Sequence, residues 1–371
     1  MLVADPKSEI FPSHDAKRLL IVTTGLFSGG AEALLVRYVF IALQKGWHVK
    51  IISMLPEGFH DASLRAMGAE VISVPMGRFP INPFKVGEAR KIARSFAPDV
   101  TQGWMYRGNF LASLVSSSLP TRLFWGIFCT PIGSNATLAG RLFFGLLARM
   151  SKRVESIVYN GTRARDEHQA EGFSAKNPIT FSNGVDVEKF KAEPELRIET
   201  RVKLGLRDDE VAMLVAARVH PQKDWPTIIE ATRRCPEVTV IAAGADTDNL
   251  PDLPNLKRLG VRRDMIALYN AADIFALPSA FGEGTSVAMS EAMATGLPGI
   301  ATDVGDNKEA IGDAGIVVPI KQPDCLVAAM QKLARDPEER HRLAKRAREI
   351  ALESFDDRKT YQPIFDAYQA H

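Results

Sequence analysis

Short apolar runs rich in β-branched residues, each followed by a turn and then a stretch with helical spacing, recur along almost the whole chain. The first run, residues 19–24, passes through a glycine-rich turn at Gly25 to Gly30 into a helical pattern from Ala31 to about Lys45. Strand patterns continue at 48–54, 69–74, 99–102, 122–128, 156–159 and 179–181, with helix-like segments between them. Strands separated by helices argue for a parallel sheet covered on both faces.

A polar, acidic stretch over 183–199 interrupts this rhythm, which restarts at Val211. Strand patterns then fall at 211–217, 238–243, 256–259, 273–277, 299–302 and 315–318. Helical patterns lie at 226–234, 265–270, 287–294 and 324–334, and two more, 338–353 and 358–368, close the chain. A length of 371 residues exceeds one ordinary core and suits two domains. The expected division is 1–182, 183–353 and a terminal helix over 354–371.

Composition narrows the function classes. With 46% hydrophobic and 24% charged residues, disordered, fibrous and coiled-coil chains are excluded. A net charge of +2 provides no global field to recruit nucleic acid, so no nucleic-acid partner is expected. Cys129, Cys235 and Cys325 are far apart and form no CxxC pair, which argues for a reducing, cytoplasmic setting. Asp5, Glu9 and Asp15 precede the first apolar run, unlike a secretory signal, and no apolar stretch reaches the length of a membrane span. The charge is uneven: 21 basic and 13 acidic residues lie up to Thr180, a net +8, and 25 against 31 follow, a net −6. Residues 122–150 are apolar and sparsely charged. They read either as a buried strand with its packing helix or as an interfacial patch against an anionic membrane.

Four segments could carry chemistry. Gly29 and Gly30 sit where a strand hands over to a helix; the loop is neither the GxGxxG dinucleotide pattern nor an ATPase phosphate loop. Arg218 and Lys223 follow the 211–217 strand, five residues apart, a spacing that can clamp one diphosphate or leave a solvated basic loop. Glu283 stands among glycines before a helix that begins near Thr285 or Ser286, whose first turn carries no acidic residue and offers free amides to an anion. Glu291 lies about two turns further on, about 12 Å of helical rise away, so the two carboxylates serve different roles. A fourth turn, with Asp303, Gly305, Asp306, Asn307 and Glu309, can line the same crevice. No metal-ligand motif is present in the sequence.

Taken together, Gly29-Gly30-Ala31-Glu32, Asn183-Gly184-Val185-Asp186 with Phe190, Arg218 with Lys223, Gly260 before Asp264, Asp273, and the Glu283/Glu291 pair resemble family 4 of the retaining, nucleotide-sugar-dependent glycosyltransferases. That resemblance implies an α/β fold of the GT-B type, with two facing Rossmann-like domains, parallel sheets and a central cleft. It implies a hexosyl transfer from a nucleoside diphosphate sugar, expected to be UDP-linked, to a glycan or lipid-linked glycan. No metal or other cofactor would be needed. Arg218, Lys223 and Glu283 would act catalytically. Gly29, Gly30, Gly284, Thr285, Ser286, Glu291, Gly305 and Asn307 would bind the donor. The terminal helix would cross back to the first domain. The expected location is the cytoplasm, with the basic charge and the apolar 122–150 stretch allowing peripheral contact at the inner face of the cytoplasmic membrane. Trp104, Tyr106, Arg107 and Asn109, after another strand end, are the candidate acceptor residues or else a packed aromatic turn. Ala217 and Asp306 depart from the family pattern, and a carboxylate at Asp306 is unfavourable beside a diphosphate unless it turns toward sugar hydroxyls or the pocket mouth. A nucleotide-sugar epimerase, a sugar phosphorylase and a non-enzymatic nucleotide-sugar-binding protein are the competing readings.

Overall fold

A computed structural model describes residues 16–27, 29–77, 82–131 and 137–370; Asp5, Glu9, Asp15 and Ser28 lie outside them. The strands are β1 (Arg18–Thr23), β2 (His48–Ser53), β3 (Glu70–Ser73), β4 (Val100–Trp104), β5 (Arg122–Ile127), β6 (Ser156–Tyr159) and β7 (Ile179–Thr180). They continue as β8 (Val211–Ala216), β9 (Val238–Ala243), β10 (Leu256–Arg258), β11 (Ile274–Leu277), β12 (Gly299–Thr302) and β13 (Gly315–Val318). Two sheets result, in the orders β3-β2-β1-β4-β5-β6-β7 and β10-β9-β8-β11-β12-β13. Strand order reverses between β1 and β4 and again between β8 and β11. In open α/β sheets ligands bind outside the carboxyl ends of the strands at such a switch point.

The continuous apolar runs follow from burial on both faces. In β8, Ala212 and Leu214 pack with Ile241, Phe275 and Met289 in one core. The intervening Met213 and Val215 pack with Trp225, Val240 and Ile274 in another. Side chains that alternate between two buried layers leave no place for the polar residues of a half-exposed strand.

The chain forms two compact units, one of residues 1–127, 150–157 and 175–177, the other of 128–149, 158–174 and 178–371. The long continuous stretch of the second unit starts at 178, near the expected break at 183, and the unit also takes in 128–149 and 158–174. In the second unit, Asp273 anchors the polar linker to the restarted sheet. It accepts from Arg197 Nη2 at 2.6 Å, Arg201 Nη1 at 3.2 Å and the Ala212 amide at 2.8 Å. Residues 354–370 also belong to this unit, where the Val185 amide donates to Phe355 O and the Asp357 amide to Val185 O.

In the first unit, the helix Met105–Ser116 lies directly on β1 because Gly108 has no side chain. A Cβ there would sit 2.4 Å from Val22 O. Gly108→Ala is expected to cost about 1–3 kcal/mol and to lower the thermal midpoint by several degrees; an unchanged unfolding curve would refute this close approach.

Candidate active site

Beyond the end of β8 the chain stays beside the segment after β9. The Ala217 amide donates to Ala243 O and the Val219 amide to Ala245 O, at 2.9 and 2.8 Å. Gly244 permits this: its φ is +147°, and a Cβ would meet Ala217 O at 2.4 Å. His220 Nδ1 accepts from the Gln222 amide, setting the turn Pro221–Lys223. Asp224 then takes a left-handed conformation at φ 48° and accepts from Thr227 Oγ1 at 2.7 Å as the helix Trp225–Arg234 begins. Burial and the cations Arg218 and Lys223 hold the His220 pKa below its ordinary value, so this histidine is neutral near pH 7.

The loop after β11 meets this turn. Gln222 O accepts from the Ala280 amide at 2.8 Å, and Gln222 Nε2 donates to Gly282 O at 2.9 Å. Glu283, 7% exposed, receives on Oε1 the Lys223 ammonium at 2.5 Å, the Ser279 hydroxyl at 2.6 Å and Gln222 Nε2 at 3.5 Å. Its Oε2 has no partner among the described residues. One oxygen is thus locked while the other is available to a hydroxyl. On the backbone side, Glu283 O accepts from the Thr130 amide at 3.2 Å. Gly305, at φ 59°, comes so close that its Cβ would lie 2.2 Å from that oxygen.

Lys223 is therefore neutralised within the protein. Arg218 is exposed, and its guanidinium has no hydrogen-bond or ion-pair partner among the described residues. Of these two cations it is the one that stays unpaired among the described residues.

The helix Val287–Thr295 starts at Ser286 without a side-chain cap or an acidic residue in its first turn. The sequence leads one to expect free amides in this first turn, and those of Ser286 and Val287 have no acceptor among the described residues. The Thr285 amide departs from that expectation, because it donates to Asn160 O at 2.9 Å. Thr285 O accepts from both Asn160 Nδ2 and Asn183 Nδ2. Gly284 gives Asn160 room: a Cβ would approach Asn160 Oδ1 to 2.2 Å.

Glu291 has a separate environment. Tyr269 OH donates to its Oε2 at 2.7 Å. Burial pushes the Glu291 pKa up to about 7, against the smaller lowering effects of that hydrogen bond and of Lys189. Asn307 is fully buried with both side-chain polar atoms unpaired among the described residues. Asp306 Oδ1 accepts from the Arg163 amide at 3.0 Å, at the start of the helix Thr162–Ala170. A carboxylate is well placed at that positive helix end. His168, on the same helix, is fully buried; its Nδ1 donates to Ala164 O, and burial lowers its pKa to about 4.

Of the candidate acceptor residues, Trp104 and Asn109 are packed, as the alternative of a packed turn has it. Trp104 is buried and its Nε1 donates to Ala31 O at 2.9 Å. Asn109 is fully buried, with its Oδ1 accepting from the Gly126 amide and its Nδ2 donating to Gly126 O. Both side chains hold the first unit together and are buried away from solvent. Arg107 donates to Gly77 O at 2.9 Å and is only partly buried, as is Tyr106. Gly29 is the extended residue before the helix Gly30–Gln44, and a Cβ on it would meet Glu32 Oε2 at 2.3 Å, whereas Gly30 faces open space. Sequence reasoning missed Gln222, Ser279 and Tyr269, whose only signal was a polar group close in sequence to Lys223 or Glu283, or none in the case of Tyr269. No cluster of His, Cys, Asp or Glu among the described residues could hold a metal ion.

Residues 197–350 match the model of the family glycosyl transferases group 1. This segment contains Arg218, Lys223, Glu283 and Glu291 alike. A D-inositol 3-phosphate glycosyltransferase of Saccharomonospora viridis is 31% identical over 216 residues, 51% of this chain and 49% of that protein. An Escherichia coli UDP-Gal:alpha-D-GlcNAc-diphosphoundecaprenol alpha-1,3-galactosyltransferase is 27% identical over 205 residues, 50% of this chain and 52% of that protein. The chain thus spans about half the length of these curated relatives. The crystal structure of Anabaena HepE in complex with UDP and glucose matches with a TM-score of 0.85 at 19% identity, covering 96% of this chain and 100% of that one. The fold is of the GT-B type, built from two Rossmann-like parallel sheets.

Glu291 generates a pH dependence. Its folded pKa lies above the ordinary carboxylate value, so the folded protein holds a proton that the unfolded chain releases. Its contribution to stability is complete below about pH 4.5 and is lost as pH rises through about 7. Glu291→Gln should remove this loss, worth at most about 3 kcal/mol. Denaturant titrations at pH 5 and pH 7.5 that show the same pH slope in both proteins would refute it.

Proposed function

We propose that this chain is a retaining hexosyltransferase of glycosyltransferase family 4. It moves a sugar from a nucleoside diphosphate donor, with uridine as the expected base, to a glycan or lipid-linked glycan. The observation that carries this reading is the Lys223–Glu283 pair at the β8/β11 switch point, in the same stretch of loops as the unpaired Arg218 and the uncapped helix start at Ser286. A diphosphate placed there would receive a guanidinium and free amides. Both stabilise the negative charge that develops as the sugar–phosphate bond breaks.

Glu283 is suited to orienting the transferred sugar. Lys223 and Ser279 fix one carboxylate oxygen, and the other accepts a sugar hydroxyl. In the retaining mode the acceptor hydroxyl enters from the face the diphosphate leaves. Glu291 lies on a different element from Glu283 and is assigned to donor ribose hydroxyls, and Gly305 allows the chain to pass close behind Glu283. Mass spectrometry with a panel of nucleotide sugars and simple or lipid-linked acceptors tests the reading. Arg218→Ala should cut turnover at least about tenfold with an unchanged unfolding midpoint; near-normal transfer would overturn the role given to it.

The helix Leu138–Ser151 supports an anionic membrane surface as a further partner, at the inner face of the cytoplasmic membrane. Leu138, Leu142 and Leu146, one turn apart, are 68%, 68% and 44% exposed. Arg141 and Arg149 flank them, Lys152 and Arg153 follow, and residues 123–154 contain no acidic residue. Apolar insertion with cations beside it fits anionic lipid headgroups. No helix among the described residues is long and apolar enough to cross a membrane. The protein should sediment with anionic vesicles at low salt, and Leu142→Glu should reduce this several-fold; equal sedimentation of the two proteins would exclude this helix.

A further inference from the structure

A cavity of about 680 Å³ opens at the carboxyl ends of β11, β12 and β13, beyond the Glu283 loop. Neither Arg218, Lys223 nor Glu291 lines it. One wall is apolar, with Phe281, Val304, Val317 and Ile320. The lining also carries three planar ionic groups joined through Arg163. Arg163 Nε donates to Glu167 Oε1 and Nη1 to Asp303 Oδ1, each at 3.0 Å, with Gly305 O a second acceptor at 3.3 Å. The Arg163 backbone is fixed as well, through its amide on Asp306. Gly282 and Gly305 belong both to this cavity and to the cradle of Glu283.

This chemistry selects its ligand. Two carboxylates share one guanidinium, and the nearby Lys308 also leans on Asp303 at 3.7 Å, so an incoming phosphate finds no uncommitted cation. A neutral polyol is better matched: its hydroxyls donate to the carboxylates and accept from the guanidinium, with no charge to desolvate. An apolar wall ending in an aromatic ring suits the C–H face of a pyranose. The side chains of Trp104 and Asn109 are buried within the first unit, as described above.

We propose that this cavity seats the pyranose ring of the acceptor, its apolar face toward Phe281 and Ile320 and its hydroxyls on the Arg163, Asp303 and Glu167 group. The assignment rests on the glycosyl-transfer reading, and it makes Asp303 and Ile320 determinants of acceptor choice.

The test uses the full chain and two variants away from the diphosphate groups. Ile320→Trp fills the cavity from the exposed turn after β13, and Asp303→Asn removes one acceptor charge. Saturation-transfer NMR with methyl glucoside, galactoside, mannoside and N-acetylglucosaminide reads sugar binding, and calorimetry reads UDP affinity. The expected result is that at least one methyl pyranoside binds and that both variants weaken it tenfold or more, with UDP affinity unchanged. Pyranoside binding insensitive to both variants, binding of UDP but of no pyranoside, or displacement of the pyranoside by inorganic phosphate would each overturn the proposal. A wild-type chain without UDP affinity would sink the glycosyl-transfer reading instead, and pyranoside binding lost in Ile320→Trp would still place a sugar site here.

Discussion

The ion pair between Lys223 and Glu283 joins the loop that follows β8 to the loop that follows β11, across the place where strand order reverses. Its side chains are only 17% and 9% exposed. Removing two charges from water costs several kcal/mol per ion unless they are paired and further hydrogen-bonded. Ser279 and Gln222 supply those additional bonds, and the direct pairing of β8 with β11 brings the loops together. Lys223 is therefore committed to Glu283, whereas Arg218 has no partner among the described residues.

Close backbone approach is the second constraint. Gly305 lets the loop after β12 lie against the Glu283 carbonyl, Gly244 lets the segment after β9 lie against Ala217, and Gly284 accommodates Asn160. A methyl group at any of the three would displace backbone or a buried polar side chain, and each position lies within or beside the proposed donor loops. Asn160 and Asn183 both grip Thr285 O, so the turn into the helix Val287–Thr295 is held from two further segments. A rigid turn keeps the helix-start amides aimed in one direction, which is what charge stabilisation without reorganisation requires.

The alternation of strands and helices was legible because the apolar runs are short, β-rich and separated by turn residues. Arg218, Lys223, Glu283 and Glu291 were legible as residue types at strand ends and on the next helix. Ser279, Gln222 and Tyr269 were not, since a hydroxyl or an amide is unremarkable until a neighbour gives it a partner. Tyr269 lies 22 residues before Glu291, and no spacing rule connects them. Trp104 and Asn109 show the opposite failure. Polar and aromatic groups at a strand end read equally well as ligand contacts or as packing, and the hydrogen bonds to Ala31 O and to Gly126 decide for packing.

By itself the sequence determined the two parallel sheets, the order of elements along the chain and the kinds of groups at the strand ends, because these follow from local periodicity and turn chemistry. Tertiary structure alone decided how those groups are used. Lys223 neutralises Glu283, Asp306 faces the start of the helix Thr162–Ala170, and burial raises the Glu291 pKa to about 7. Each outcome depends on partners and dielectric surroundings contributed by distant segments, which appear only when the sheet order brings those segments together.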